Sequence, residues 1–243
     1  SITVVPQVLQ HEWSFGETGG TTAADTIGGA NITLLGSSSL GGGVLTLPGG
    51  SGNYAQFPDG ILSSNFSITI ETWLTDNGGQ TWARAWSFGG GITGPNNNKI
   101  GNNYIDLIPK AGGVTGLWTE FKSGVTKDVV DIGNVPLPTG AEKFIAVTYD
   151  AQKQTCIMYS NGVQVAVGTN IAITPASLGY TYNNYLGNDQ YNDPTFNGTY
   201  NEMRIWDGAM SQIYLLATAA AGPNIVITNT TPQSITVAAG RVG

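Results

Sequence analysis

The 243-residue chain contains little cysteine, histidine or charge. Its single cysteine, Cys156, excludes an internal disulfide framework, and its position in an apolar strand pattern predicts a buried, unreactive thiol. The single histidine, His11, lies in a predicted strand. Serine-hydrolase chemistry requires a histidine positioned beside the nucleophile, and structural zinc sites require several Cys or His ligands. The sequence therefore predicts neither a triad hydrolase nor a zinc protein.

The few charges are mostly negative. Nine Lys and Arg against sixteen Asp and Glu give a formal net charge of −7. Nucleic-acid phosphates and anionic membrane surfaces both need a basic patch, and nine scattered cations do not form one. No run of eighteen apolar residues is present, so no membrane-spanning helix is expected. These observations exclude nucleic acid and membrane insertion from the expected partners.

Glycine and alternating apolar residues are abundant instead. The chain has 35 glycines, and short strand patterns separated by turns recur every eight to twelve residues. Asn161-Gly162 between two apolar runs is a strong hairpin signal. The pattern predicts an all-β, two-sheet antiparallel sandwich formed by a single large domain. The clearest central strand runs over 66–74; one face is predicted to carry Phe66, Ile68, Ile70, Thr72 and Leu74.

The last part of this pattern contains one further strand and the only convincing helix. From Thr199 the residues alternate, which predicts Met203 and Ile205 on one face of the strand. The opposite face is predicted to carry Tyr200, Glu202, Arg204 and Trp206. Ser211 is a good N-cap for a short helix over 211–221, and Gly222-Pro223 is a stop signal.

The segment 186–211 also carries a recognisable string: Leu186-Gly187, Tyr191, Asp193-Pro194, Phe196-Asn197-Gly198, Asn201 to Trp206, and Ala209-Met210-Ser211. It resembles the closing segment of LamG-like domains, the laminin-G/concanavalin-A-like jelly rolls of bacterial extracellular proteins. Residues 11–36 are similar to the opening strand and loop of the same family. The resemblance implies a concanavalin A-like jelly-roll sandwich over 9–222. Residues 1–8 are then an N-terminal extension, and 223–243 a C-terminal linker and strand outside the sandwich.

Catalysis is not expected. Glucanases that share this sandwich resemble one another in an E-x-D-x-x-E strand, which places carboxylates on one face for attack and proton donation. That string is absent here. Glu71 and Asp76 are five residues apart and would point to opposite faces of a strand, while Glu202 has Arg204 as its same-face neighbour.

Calcium is the cofactor that the resemblance implies. Family members often tie the opening loop to the closing strand with a structural Ca²⁺ ion held by oxygen ligands from both. The matching positions are Glu17, Asp25, Asn31, Asn201 and Glu202. Asn201 stands where the family pattern has Asp, which lowers the local negative charge. A loop closed by hydrogen bonds, without metal, is the alternative.

Glycan binding is suggested by two loops rich in aromatic and amide residues. Aromatic faces contact the C–H surface of a sugar, while amides and carboxylates bind its hydroxyl groups. One loop spans 77–103 and includes the Asn96–Asn98 run; the other spans 179–196. The candidate contacts are Trp82, Trp86, Tyr182, Asn183, Asn184, Tyr191, Asn192 and Asp193. The alternative for each aromatic is ordinary core or strand-edge packing.

Two functions from different classes follow. The first is a non-catalytic extracellular glycan-binding or adhesion module with a polysaccharide or glycan as partner. The second is a structural subunit of a bacterial surface filament or array, in which the terminal strands Ser1–Val5 and Ile225–Ala238 pair between subunits. A start at Ser1 suits either a secreted protein after signal removal or a module of a larger protein, and an extracellular or cell-surface location is expected.

Overall fold

The computed structural model describes residues 7–90, 101–112 and 116–225. Two antiparallel β-sheets stack face to face, and one α-helix covers part of an outer face. This confirms the predicted all-β sandwich of jelly-roll type. The elements among the described residues are β1 (Val8–Trp13), β2 (Thr22–Ala23), β3 (Ile32–Leu35), β4 (Ser39–Gly41), β5 (Val44–Pro48), β6 (Tyr54–Gln56), β7 (Ile68–Asp76), β8 (Trp86–Gly89), β9 (Asn103–Ile108), β10 (Trp118–Ser123), β11 (Thr126–Asp131), β12 (Lys143–Asp150), β13 (Thr155–Ser160), β14 (Val163–Gly168), β15 (Asn183–Leu186), β16 (Asn197–Asp207) and α1 (Gln212–Ala221).

The first sheet has the order β14-β13-β12-β7-β16-β5-β4, and β1 also pairs with β16. The second sheet has the order β11-β10-β9-β8-β15-β6-β3-β2. The buried hydrophobic core lies between them, because alternate residues of each strand point inward. Met203 and Ile205, which were predicted to share one face of a strand, are both fully buried in it.

The hairpin turn between β13 and β14 and the ends of α1 have the geometry that their residue types favour. Asn161 and Gly162 both have positive φ, at 50° and 76°, in the tight turn between β13 and β14. The Ser211 hydroxyl accepts a hydrogen bond from the Tyr214 backbone N–H, and Gly222 ends α1 with a φ of 82°. Leu215 of α1 packs on the outer face of the first sheet against Trp73, Phe144, Ala146 and Tyr159.

Two expectations about strand faces were wrong. β7 begins at Ile68, and Phe66 lies before it with 67% of its surface exposed. Tyr200 lies in the core and not on the polar face. The cause is a β-bulge between Tyr200, which is opposite Leu74, and Glu202, which is opposite Trp73. The extra residue, Asn201, shifts the alternation by one position.

The predicted terminal strands lie almost entirely outside the described residues: Ser1–Val5 falls in 1–6, and all of Ile225–Ala238 except Ile225 falls in 226–243. The Asn96–Asn98 run is likewise outside them. Strand exchange between subunits therefore stays a prediction.

Candidate functional site

The outer face of the second sheet carries an unusual number of polar groups. Ile105 and Leu107 of β9 belong to the core, so Tyr104 and Asp106 point to the opposite, outer face. The register of β9 with β10 places Asp106 directly opposite Glu120. Charged side chains are therefore concentrated on the face that is not packed against the other sheet.

Arg84 is the centre of this polar group. Its Nε donates to Asp106 Oδ2 at 3.1 Å, and its Nη1 binds both the Trp82 carbonyl, at 2.6 Å, and the Asp193 carboxylate. Burial raises the pKa of Asp106 to about 7, the Arg84 guanidinium opposes this shift, and the nearby Glu120 carboxylate adds to it. The two carboxylates around Arg84 raise the pKa of its guanidinium despite its burial.

Glu120 has its own partners. Lys127 Nζ lies 2.5 Å from Glu120 Oε1, and the Tyr104 hydroxyl donates to Glu120 Oε2 at 2.9 Å. Burial and the neighbouring carboxylates raise the pKa of Tyr104, so its hydroxyl stays protonated. Two linked groups, Arg84–Asp106 and Tyr104–Glu120–Lys127, thus lie side by side where Asp106 faces Glu120.

Aromatic rings surround these two groups. The rings of Trp82 and Trp118 meet edge to face at 5.5 Å, and those of Tyr104 and Tyr191 at 5.8 Å. The Arg84 guanidinium lies between Trp82 and Tyr191, at 5.8 and 5.5 Å from their ring centres. Together they open on a depression of about 180 Å³, lined by Trp82, Arg84, Tyr104, Glu120, Lys127, Tyr191 and Asp193.

Trp82 is held in place by its backbone. It has a φ of 68°, a left-handed conformation that bulky residues rarely adopt. Its N–H donates to the Lys110 carbonyl at 2.9 Å, and its own carbonyl accepts from Arg84. Gly112 allows the indole to approach, because a Cβ there would be 2.4 Å from Trp82 Nε1. These contacts fix the ring at the edge of the depression.

Tyr191 is positioned by the loop between β15 and β16, which folds over the second sheet. Gln190 Nε2 donates to Ser87 Oγ at 3.1 Å and to the Asn183 carbonyl at 2.7 Å. Gly101 N–H donates to the Gln190 carbonyl at 3.0 Å. Gly101 has no side chain to block the ring, since a Cβ there would lie 2.1 Å from Tyr191.

A second, larger depression lies beside the first, and Asp193 lines both. Its volume is about 560 Å³. Its walls are rich in amides and hydroxyls, with one aromatic ring from Tyr54. The lining residues are Gly50, Ser51, Gly52, Tyr54, Gln80, Asn188, Asn192, Asp193, Pro194 and Thr195.

The predicted glycan contacts are divided by the structure. Trp82, Tyr191 and Asp193 meet at the first depression, and Asn192 lines the second. Tyr182 lines neither; its ring packs against Tyr180 at 5.1 Å.

The placement expected for three others needs correction. Trp86 is 1% exposed in the hydrophobic core, because β8 turns its indole inward. Asn184 is buried and donates to the carbonyls of Pro58 and Thr181 at 3.0 and 3.1 Å. Asn183 is buried under Gln190, and its Oδ1 accepts from the Tyr185 hydroxyl at 3.0 Å.

Sequence reasoning missed Arg84, Tyr104, Asp106, Glu120 and Lys127. Alternation along β9 and β10 was a usable signal, because polar or aromatic residues occupy every second position of each strand. The pairing register that brings Asp106 and Glu120 together was not contained in that signal.

The predicted calcium ligands lie in two places. Asp25 accepts backbone N–H groups from Glu12, Ile27, Gly28 and Ala30 at 2.8–3.0 Å, and its Oδ2 is 2.7 Å from His11 Nδ1. Burial by itself would raise the pKa of Asp25, but these hydrogen bonds outweigh it and hold the pKa well below its usual value. In the same loop, Glu17 Oε1 accepts from Ala24 N–H at 2.6 Å and Asn31 Oδ1 from Asp25 N–H at 3.0 Å.

The other two predicted calcium ligands, Asn201 and Glu202, are on β16. Glu202 Oε1 is 2.5 Å from Arg204 Nη2, and Asn201 Nδ2 donates to Glu142 Oε2 at 3.1 Å. Among the described residues, no three His, Cys, Asp or Glu side chains converge to hold a metal. Each of the five side chains has a protein partner in the structure, and calcium stays a prediction.

The opening loop and the closing strand are nevertheless joined. β1 pairs with β16 from Val8↔Asp207 to Trp13↔Met203. Glu12 Oε1 lies 3.2 Å from Arg204 Nε, and Thr26 Oγ1 donates to Glu12 Oε2 at 2.9 Å. An ion pair and strand pairing therefore make the connection in the described part of the chain.

The comparisons agree with the sandwich. A family model described as the concanavalin A-like lectin/glucanases superfamily matches residues 49–213. No curated protein matches the chain in sequence. In the parts of the chain described here, no helix is long and apolar enough to cross a membrane.

Three solved structures share the fold. Domain 4 of AbnA, an extracellular GH43 arabinanase from Geobacillus stearothermophilus, in complex with arabinotriose, has a TM-score of 0.60 at 24% identity, covering 88% of this chain and 98% of that one. The CBM40 of Ruminococcus gnavus IT-sialidase bound to α2,3-sialyllactose has a TM-score of 0.56 at 15% sequence identity, covering 72% of this chain and 95% of that one. The leech intramolecular trans-sialidase has a TM-score of 0.58 at 14% sequence identity, covering 74% of this chain and 27% of that one.

Proposed function

The chain belongs to the concanavalin A-like lectin/glucanase superfamily, and on that premise we propose that it is a non-catalytic glycan-binding module whose ligand lies on the outer face of the second sheet. The observation that carries this proposal is the open depression in which Trp82 and Tyr191 flank the Arg84 guanidinium. Ligand sites combine apolar and aromatic walls with a few fixed polar groups, and this depression has both.

The polar groups are preorganised. Arg84, Asp106 and Glu120 are buried, and each is held by an ion pair or hydrogen bond. A sugar hydroxyl arriving at Lys127 or Asp193, whose side chains are 39% and 33% exposed, meets groups that are already oriented. Less side-chain freedom is then lost on binding.

The comparisons support a glycan as the class of ligand. The arabinanase domain was solved with arabinotriose and the CBM40 with sialyllactose, and both share the fold along most of their own length. The arabinanase is also described as extracellular. An extracellular or cell-surface location is therefore part of the proposal.

Because Asp106 and Glu120 face each other, glycoside hydrolysis is a competing function. The burial and ion pairs of the two carboxylates argue against it. Hydrolysis requires both carboxylates to reach the scissile bond or the attacking water. Asp106 is 0% exposed and Glu120 1% exposed. Each is also engaged by a cation, Arg84 and Lys127 respectively. We assign the pair to the support of the binding face.

Binding to a glycan array and titration calorimetry test the proposal. Trp82→Ala and Tyr191→Ala are expected to weaken binding at least tenfold without unfolding the protein. Phe66→Ala is the matched control, because Phe66 is an exposed aromatic residue outside the depression.

Two results would contradict the proposal. Unchanged affinity in both site variants would place the ligand elsewhere. Release of reducing ends from a bound glycan, lost in Glu120→Gln, would establish a hydrolase.

A further inference from the structure

The depression proposed as the glycan site adjoins the second, larger depression. We propose that the two depressions form one continuous track, which binds an internal stretch of a neutral oligosaccharide several sugar units long. This inference rests on the proposed function and adds the size and charge class of the ligand. Its basis is that Asp193 lines both depressions, so that they adjoin at that residue.

Asp193 is fixed at the junction. Its Oδ2 binds Arg84 Nη1, which is itself buried, yet its side chain is one-third exposed. The ion pair with Arg84 in the first depression therefore orients the Asp193 carboxylate. The same carboxylate is also part of the lining of the second depression. Carboxylates are strong acceptors for hydroxyl groups.

The second depression has the chemistry of a sugar subsite. Gln80, Asn192 and Thr195 supply amide and hydroxyl groups, and Tyr54 supplies a ring. That ring packs edge to face on Tyr185 at 5.2 Å, which fixes its orientation.

Its walls are also tied together. Thr195 Oγ1 donates to the Gly50 carbonyl at 2.9 Å, so the loop before β16 is joined to the turn between β5 and β6. Asn53 Nδ2 donates to the Gly49 carbonyl at 2.6 Å within that turn. Gly50 and Gly52, with φ of 80° and 85°, keep the wall free of side chains.

The length follows from the strand order. Glu120, at one end of the track, is on β10, and Tyr54, at the other, is on β6; four inter-strand steps separate these strands. At the usual sheet spacing this is roughly 19 Å. A monosaccharide or disaccharide would fill one depression only, whereas a longer chain would contact both.

The charge class follows from the lining. The described residues around the second depression include no lysine, arginine or histidine, and their one charged side chain is the Asp193 carboxylate. In the first depression, Arg84 faces Asp106 and Asp193, while Lys127 faces Glu120. Each cation that lines the depressions is thus paired with a carboxylate, and the neighbouring Lys122 donates to the Tyr191 hydroxyl at 3.2 Å. The exposed Asp193 carboxylate would repel a negatively charged sugar.

The experiment measures affinity against chain length. The probes are neutral arabino-, xylo- and cello-oligosaccharides of two to six units, together with 3′-sialyllactose. For whichever neutral series binds, the affinity of the wild type is expected to rise tenfold or more between the disaccharide and the pentasaccharide. Gln80→Ala and Asn192→Ala, two exposed positions in the second depression, should each reduce this gain several-fold.

The outcomes separate this inference from the proposed function. Tyr180→Ala is the control, since Tyr180 is 60% exposed and lines neither depression. Equal affinity for short and long chains, a length gain untouched by the Gln80 and Asn192 variants, or tighter binding of sialyllactose would overturn the track while leaving a glycan-binding protein. If neither the neutral series nor sialyllactose binds, the track is overturned, and the proposed function then depends on the glycan array alone.

Discussion

Two buried arginines occupy opposite outer faces of the sandwich in similar surroundings. Arg204, on the first sheet, lies 4.9 Å from the Trp73 ring and contacts Glu12, Glu71 and Glu202 at 3.2, 3.5 and 2.5 Å. On the second sheet, Arg84 lies between Trp82 and Tyr191 with Asp106 and Asp193 as its partners. The two clusters combine the same kinds of groups.

They differ in what covers them. α1 packs on the first sheet through Leu215, and the Tyr214 ring meets Trp206 at 5.3 Å. The Asn224 N–H donates to Glu202 Oε2, which brings the chain after α1 against the same cluster. On the second sheet, no helix among residues 7–90, 101–112 and 116–225 lies over Trp82 and Tyr191. The same kinds of groups therefore lie under a helix on the first sheet, whereas on the second sheet they line an open depression.

The sharpest test compares Arg204→Met with Arg84→Met. Arg204→Met leaves buried carboxylates without their cation and is expected to lower the free energy of unfolding by about 3–5 kcal/mol. Arg84→Met is expected to cost less, because one of its two carboxylate partners, Asp193, is one-third exposed and stays hydrated. Urea denaturation at pH 7 measures both. Equal losses would remove the distinction between a closed and an open cluster.

Leu215→Ala tests whether the helix is what closes the first cluster. Leu215 is fully buried against Trp73 and Phe144, so its truncation is expected to cost about 2–5 kcal/mol. Leu216→Ala is the matched control one residue away: it is 42% exposed, and its cost should be within about 0.5 kcal/mol. Similar melting temperatures for the two variants would show that α1 adds little.

The pH dependence of the free energy of unfolding depends on one buried carboxyl group in each cluster, Glu71 and Asp106. Burial raises the pKa of Glu71 from 4.5 to about 7, against the attraction of Arg204, and that of Asp106 from 3.8 to about 7. Between about pH 4 and 7 the native protein therefore binds more protons than the unfolded chain, and its stability falls as pH rises through this window. The free energy of unfolding is expected to be higher at pH 5.5 than at pH 8.

Glu71→Gln and Asp106→Asn divide this effect between the clusters. Each variant should flatten the pH profile in part, and the double variant should flatten it further. Asp25, whose pKa is lowered, acts in the opposite direction, but its contribution is lost only as pH falls below about 4, the ordinary pKa of an unfolded Asp. A wild-type protein that became more stable between pH 5.5 and 8 would refute the assignment.

The smallest effect is expected from Lys153→Met. Lys153 pairs with Asp150 at 2.6 Å, but its side chain is 77% exposed to solvent. Exposed ion pairs contribute less than about 1 kcal/mol. A melting temperature close to that of the wild type sets the baseline against which the two arginine variants are compared.

Local signals in the sequence were sufficient for several elements. Ser211 and Gly222 bound the helix as their capping preferences predict, and Asn161-Gly162 forms the turn of its hairpin. Alternation also predicted that Met203 and Ile205 share a face, and that face lies in the core. In each case the interactions involve residues near one another in the chain.

The site could not be predicted in the same way, because distant segments form it. Arg84 and Asp193 are 109 residues apart, and the register between β9 and β10 decides that Asp106 faces Glu120. Trp86 and Trp82 are aromatic residues in one loop-rich region, yet strand β8 turns the first inward. Which face each strand presents is decided by packing between sheets.

The single extra residue at Asn201 has a consequence for any alignment of this strand. β16 pairs with β5 up to Tyr200 and with β1 from Met203 onward, so the bulge falls where the strand changes partners. Tyr200 and Glu202 lie opposite consecutive residues of β7, Leu74 and Trp73, so a relative that lacks the extra residue would form a regular strand with the same side chains facing the core. Relatives should therefore be matched to this chain separately upstream and downstream of that position.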